Sequence, residues 1–214
     1  HFQHIHHVTG RAGLHRHFLS ARVLQARLRQ GVRGRWKIVS LVRDPVARTV
    51  SLFFHSFPFS FVGLGPPVCE TPDDASRLLS LYLGDWALGH RFALDWFDAE
   101  VRDVFGIDVY ATPFPRAEGH ALYRGATCDL LVIRLEDLDR CGRRVLQEFL
   151  GIESLELVTA NRGDDHAYAE AFRRFKTTAT LPASYLDLMY DSRLARHFYS
   201  DAERAAFRAR WAQD

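Results

Sequence analysis

Nowhere in these 214 residues does an apolar run approach the roughly 20 residues that a membrane span needs. No charged-then-apolar leader ending in small residues is visible either. The expectation is a globular chain in water. Cysteine is scarce: Cys69, Cys128 and Cys141 form an odd set without a C-x-x-C pair, which argues against a disulfide framework and against a zinc ribbon. Lysine is scarcer still, with only Lys37 and Lys176, and no Gly-x-x-x-x-Gly-Lys pattern marks the common phosphate loop. Internal repeats and low-complexity tracts are also missing. Acidic residues are absent before Asp44, although Arg11, Arg16, Arg22, Arg27, Arg29, Arg33, Arg35 and Arg43 all precede it. That front is either the solvated face of a helix or a surface that attracts anions. Without interleaved exposed aromatics it does not suggest nucleic-acid binding.

What is present is enough to bury a core, since 47% of the residues are apolar and 13% aromatic. Phe2 to Val8 alternates like a short strand, "HFLSARVLQARLRQG" has helical spacing, and "WKIVSLV", Trp36 to Val42, is a β-branched run suited to a strand buried on both faces. Asp44 then reads as an N-cap and Pro45 as the first helical residue. Val46, Val50, Phe53, Phe54 and Phe57 fall on one stripe of that helix, and Arg48, Ser51 and His55 on another. The Gly-, Pro- and Phe-rich stretch from Pro58 to Pro72 reads as a loop or lid. Helical periods follow, with breaks expected at Gly84 and Gly89, and "IDVYATPF" reads as a short strand.

"CDLLVIRLEDLDRCGRRVLQEFLGI" repeats the plan of strand, acidic turn and helix, ending at Gly151, and the tail is expected to hold two helices, the second capped by Ser200 and Glu203. The alternation implies a single α/β domain over residues 1–214 with a mainly parallel sheet flanked by helices, an insertion at about 58–105 and a helical tail at about 183–214.

In open α/β sheets ligands lie beyond the carboxyl ends of the strands, where Arg43 falls. Its planar fork of donors suits phosphate oxygens, and Ser51 could add a hydroxyl; an ion pair of Arg43 with Asp44 or Glu136, bracing the turn, fits the same residues. Two features of the front bear on chemistry as well. His4 and His6 share one face of the presumed strand and are near neutral at pH 7, able to take a proton. They could share a metal ion, but no acidic or cysteine partner is placed beside them, so no metal is assigned.

"LVRDPVARTVSLFF" resembles the segment of the sulfotransferase superfamily that binds the 3′-phosphate of 3′-phosphoadenosine 5′-phosphosulfate, through an arginine at a strand end and a serine eight residues on. Arg43 and Ser51 match that type and spacing. "LLVIRLEDLDRCGRRVLQEFLGI" is similar to the family's later strand, acidic turn and helix. "WFDAEVRDVFGIDVYATPF", "FRRFKTTATLP" and "HFYSDAERAAFRARW" resemble in particular the bacterial branch of capsular polysaccharide synthesis proteins. The name-giving Asn-Lys-Trp-Tyr-Ser motif of that branch falls at Asp165 to Ala169, with only Tyr168 kept.

The resemblance implies a sulfotransferase architecture related to the P-loop NTPases, and transfer of a sulfuryl group to a hydroxyl, expected to belong to a carbohydrate. It implies His6 as the base, with His4 second, and Lys176 as a residue that closes over the cofactor. The family's first strand and lysine-bearing phosphate loop are not in this sequence, so the chain is expected to be cut from something longer. A bacterial cytoplasm is the implied compartment. The competing class is a non-catalytic module of the same fold that binds a nucleotide or an anionic polysaccharide.

Overall fold

The structure is a computed structural model and describes residues 34–56, 67–84, 87–158 and 167–212. Three strands form its sheet: β1 (Trp36–Val42), β2 (His120–Arg124) and β3 (Cys128–Arg134), in the order β1-β3-β2. β1 runs parallel to β3, from Trp36 beside Cys128 to Val42 beside Arg134, while β2 lies antiparallel on the other side, with His120 opposite Ile133. The α/β expectation holds, but the mainly parallel sheet is corrected to a small mixed one among the described residues.

The expected strand in "IDVYATPF" is not there. Asp108 Oδ1 accepts from the Tyr110 amide at 2.9 Å and the Ala111 amide donates to the Asp108 carbonyl, so a local turn takes the groups a ladder would need. The sheet instead uses "HALYR", joined to β3 by a tight connection in which the Gly125 amide donates to the Cys128 carbonyl at 2.8 Å. β3 is the strand buried on both faces. Leu130 and Val132 enter the main core and Leu131 and Ile133 a second one with Cys141 and Val145. β1 was expected to be buried likewise, yet Val39 and Leu41 are 40% and 49% exposed, leaving it the alternation of a one-faced strand.

Eight α-helices surround the sheet among the described residues: α1 (Pro45–Ser56), α2 (Pro72–Leu83), α3 (Ala87–Trp96), α4 (Arg143–Leu150), α5 (Ala169–Thr178), α6 (Ala183–Tyr190), α7 (Arg193–Phe198) and α8 (Asp201–Ala209). A single short turn, Asp103–Phe105, closes the wider π-helical turns Phe97–Arg102 that extend α3. Gly89 lies inside α3 and does not break it. α2 starts with a capping box between Thr71 and Asp74 and α8 with one between Ser200 and Glu203. α4 ends where Gly151 takes a left-handed φ of 73°. The tail is thus three helices, one more than expected. Its Leu186, Met189, Phe198 and Tyr199 pack with Val46, Phe53 and Phe54 of α1 and with Tyr82 and Phe175 in one apolar cluster.

Where β3 ends, Arg134 is only 6% exposed and fully engaged. It donates to Asp137 Oδ2, to Glu203 Oε1 at 2.8 Å and to the Phe198 carbonyl at 3.2 Å, and its guanidinium sits 5.4 Å from the centre of the Tyr199 ring. The β3 end is thereby tied to the start of α8. Gly119 allows this turn to close: its φ is 74°, and a Cβ there would meet the Asp137 side chain at 2.5 Å. Burial pushes the Asp137 carboxyl up, but hydrogen bonds and charge from Arg140 and Arg134 outweigh it, and the net direction is down. Glu203 is lowered too, its burial outweighed by the Ser200 amide and hydroxyl and by Arg134. Depressed carboxyls contribute stability that is present above their unfolded values near 4 and is lost as pH falls through the folded ones.

Asp137→Ala leaves Arg134 buried with one carboxylate fewer, and a loss of about 3 kcal/mol is expected from the usual cost of removing one partner of a buried pair. The check is a lower urea midpoint at unchanged slope, with a loss of stability on acidification that is smaller in the variant than in the parent.

Candidate functional site

The β1–α1 turn is held by carboxylates that engage backbone and hydroxyl groups. Asp44, 3% exposed, caps α1 by accepting from the Val46 amide at 2.9 Å and the Ala47 amide at 3.2 Å, and also from the Tyr190 hydroxyl at 3.0 Å. Burial nevertheless pushes its carboxyl up, against those hydrogen bonds. The Asp44 amide donates to Glu136 Oε1 at 2.8 Å, and Tyr199 donates to Glu136 Oε2 at 3.0 Å, so one carboxylate joins the ends of β1 and β3 to the tail. These bonds brace the turn without the Arg43 guanidinium, which has no hydrogen bond or ion pair to a described residue.

Arg43 instead lines a cleft of about 250 Å³ at the carboxyl end of β1. Its walls include Ser40 of β1, Arg48 of α1, Ala93 and Trp96 of α3 and Leu194 of α7, and none of the described residues that line it is acidic. Arg48 projects from α1 toward α3, where its guanidinium lies 5.4 Å from the centre of the Phe92 ring. Its Nη1 is buried and has no hydrogen-bond partner. Burial, and after it the charge of Arg43, work against the protonated state of Arg48.

A directional chain of hydroxyls sets the position of α1 against its neighbours. His90 Nε2 lies 2.8 Å from the Tyr82 carbonyl, which can only accept, so this nitrogen carries the proton. Nδ1 then accepts from the Tyr185 hydroxyl at 2.9 Å and Tyr185 from Tyr82 at 2.6 Å; the Thr49 hydroxyl of α1 lies 2.7 Å from that of Tyr82 and also donates toward the Pro45 and Val46 carbonyls at 3.1 and 3.0 Å. Four helices, α1, α2, α3 and α6, meet in this buried network. Burial lowers the His90 pKa against its bond to the Tyr82 carbonyl, which keeps the ring neutral.

Of the residues singled out in the sequence, the structure brings Arg43 to the cleft. Ser51 is partly buried one turn beyond Arg48 on α1 and is not among the cleft's lining residues. Lys176 is exposed on α5, its amine 4.9 Å from the centre of the Phe172 ring, and does not line the cleft. His4 and His6 lie outside the described residues. Tyr168, the retained motif residue, reaches α1 from the start of α5: its hydroxyl is 3.4 Å from His55 Nδ1 and its ring packs on Phe54. The residue that sequence reasoning passed over is Arg48. It was visible as part of a polar stripe, but the approach of α3 that buries it was not.

A second cleft, of about 540 Å³, lies between α2 and α5 and is lined by Thr71, Ser76, Arg174 and Thr178. Its arginine is already paired with Glu170 at 2.7 Å. Among the described residues no cluster of His, Cys, Asp and Glu could hold a metal ion, and no helix is long and apolar enough to cross a membrane. Cys69, Cys128 and Cys141 are buried and free.

Residues 90–200, just over half of the chain, match the NKWYS family, described as putative capsular polysaccharide synthesis protein. The chain belongs to this family. The matched span runs from His90 in the tyrosine network to Ser200 at the cap of α8, and it includes the α3 and α7 walls of the cleft but not Arg43 or Arg48. No curated protein and no solved structure matches the chain.

Because His90 is neutral when folded, the unfolded chain binds a proton that the folded one does not as pH falls below about 6.5. The contribution of His90 is expected to be complete above that pH and to shrink as pH falls toward its lowered folded value. Urea titrations of the parent and of His90→Gln between about pH 5 and 7.5 check this: the variant should lose part of the parent's rise in stability with pH.

Proposed function

We propose that the chain is the nucleotide-binding α/β part of a sulfotransferase acting in polysaccharide synthesis, which moves a sulfuryl group from 3′-phosphoadenosine 5′-phosphosulfate to a carbohydrate hydroxyl. The observation that carries this reading is the arginine pair, Arg43 and Arg48, which lines a cleft at the carboxyl end of β1 with no carboxylate among its described residues. An arginine left without an acidic partner in that place fits a phosphate oxygen better than it fits a brace for the turn. The buried, unpartnered Nη1 of Arg48 supports a fit to an anionic group.

When bound, the donor supplies the sulfuryl group, with adenosine 3′,5′-bisphosphate as the product. The chain's own residues then have separable tasks. Arg43 holds the 3′-phosphate from the cleft, and Ser51, which does not line that cleft, is given its share in that phosphate by the sequence resemblance alone. The capped and carboxylate-braced turn fixes the backbone that carries Arg43, so that the side chain alone has to be ordered on binding. His6, or His4 after it, takes the proton of the acceptor hydroxyl, on the strength of the sequence resemblance. Lys176 on α5 adds positive charge from the carboxyl-terminal side. The family description, with its polysaccharide, supports the choice of a carbohydrate acceptor. The alternative is a module that binds the nucleotide or an anionic polysaccharide without transfer; the arginine pair alone supplies binding, and the proton acceptor separates the two readings.

Calorimetric titration of the 214-residue chain is expected to show adenosine 3′,5′-bisphosphate binding about ten- to hundredfold more tightly than 5′-AMP, the usual worth of one charge-assisted contact. Arg43→Ala should erase most of that preference. Equal affinities for the two nucleotides in the parent, or a preference that survives Arg43→Ala, would count against the proposal.

A further inference from the structure

We infer that the cleft between β1, α1 and α3 is a tetrahedral-oxyanion site in which Arg48 is the principal ligand and Arg43 the second, taking a phosphate or sulfate group. The inference uses the same turn as the functional reading but needs neither the nucleotide nor the transfer reaction.

Three observations converge on it. First, a guanidinium carries five N–H donors, and Arg48 has Nη1 buried with no acceptor. The Phe92 ring answers the face of the cation, not its edge donors. Leaving such a donor unmet in a low-dielectric place costs more than a typical hydrogen bond returns, which is the reason buried charges are nearly always paired. Arg134, buried as a whole residue, is paired with two carboxylates, whereas half-buried Arg48 has none.

Second, the charge is doubled rather than neutralised. Arg43 lines the same cleft, no described carboxylate does, and Ser40 adds a hydroxyl to its wall. Two like charges around one cavity destabilise each other until an anion comes between them. The depression of the Arg48 pKa by burial and by Arg43 is consistent with that arrangement.

Third, the size is selective. About 250 Å³ is below the roughly 300–1,000 Å³ of pockets that enclose a whole drug-sized ligand. It suits one charged group, with the remainder of any larger molecule outside the cleft. A free inorganic anion and a phosphate on a nucleotide share this chemistry.

The test is thermal unfolding of the whole chain with inorganic phosphate against sodium chloride at equal ionic strength, and in parallel arms with adenosine 3′,5′-bisphosphate and 5′-AMP. The variants are Arg48→Met, which keeps the stem against Phe92, Arg48→Lys, which keeps the charge without the fork, and Arg144→Met, which removes an exposed arginine paired with Glu148. The parent and Arg144→Met should show a phosphate-specific rise in melting temperature, and the apparent dissociation constant should weaken about ten- to hundredfold in Arg48→Met. Arg48→Lys should fall between them, and it carries the test if Arg48→Met does not fold. No phosphate-specific rise in the parent, or an equal rise in the Arg48 variants, overturns the inference. A phosphate response that depends on Arg48, without preference for the bisphosphate, upholds the site and removes the nucleotide reading. A bisphosphate preference lost in Arg43→Ala but intact in Arg48→Met does the reverse.

Discussion

The parallel pairing that sets Val42 beside Arg134 is the constraint on which the rest of the molecule depends. It delivers two strand ends to the same edge, each followed by a turn and a helix, and so brings their charged residues within reach of one tail. The two ends are then treated in opposite ways. At β3 the arginine is enclosed by Asp137 and Glu203 and becomes part of the framework. At β1 the carboxylates are spent on amides and tyrosine hydroxyls, and the arginines face a cavity. An arginine surrounded by acids holds structure, and one kept away from them is available to a ligand.

Glu136 makes this division possible. By accepting from the Asp44 amide and the Tyr199 hydroxyl it ties three parts of the chain without neutralising Arg43. Its place explains why an acidic turn after β3 matters to the cleft at β1. The family match covers that acidic turn and the α3 and α7 walls of the cleft, so the matched residues form its support and one side, while the arginines come from the preceding strand and helix.

Features whose determinants are local were legible in the sequence. The Asp44-Pro45 start of α1, the apolar stripe through Val46, Val50, Phe53 and Phe54, the Ser200 and Glu203 capping box and the Gly151 stop each depend on neighbours a few residues away, and the structure has all of them. Features decided by distant partners were not. The alternation of "HALYR" is too short to outweigh "IDVYATPF" until the Asp108 turn and the pairing to β3 are known. The two-sided burial expected of β1 belongs to β3, whose two faces enter two different apolar clusters. Arg48 and Ser51 looked alike as members of one polar stripe, and only the packing of α3 separates the residue lining the cleft from the one that does not.

The tyrosine network behind the cleft has a further property. Because the proton on His90 Nε2 is committed to a carbonyl, the hydroxyl protons of Tyr185 and Tyr82 are oriented toward the imidazole, each bond fixing the sense of the next, and Thr49, which also reaches the Pro45 and Val46 carbonyls, joins α1 to the end of that chain. The polar interior therefore behaves as one ordered element with a head and a tail rather than as a sum of contacts. Substitutions at its members should be strongly non-additive: once one hydroxyl is gone the remaining protons are free to turn, and a second loss costs less than it would alone. The alignment of α1 with α2, α3 and α6 is thus a collective property of four side chains, and no single one of them owns it.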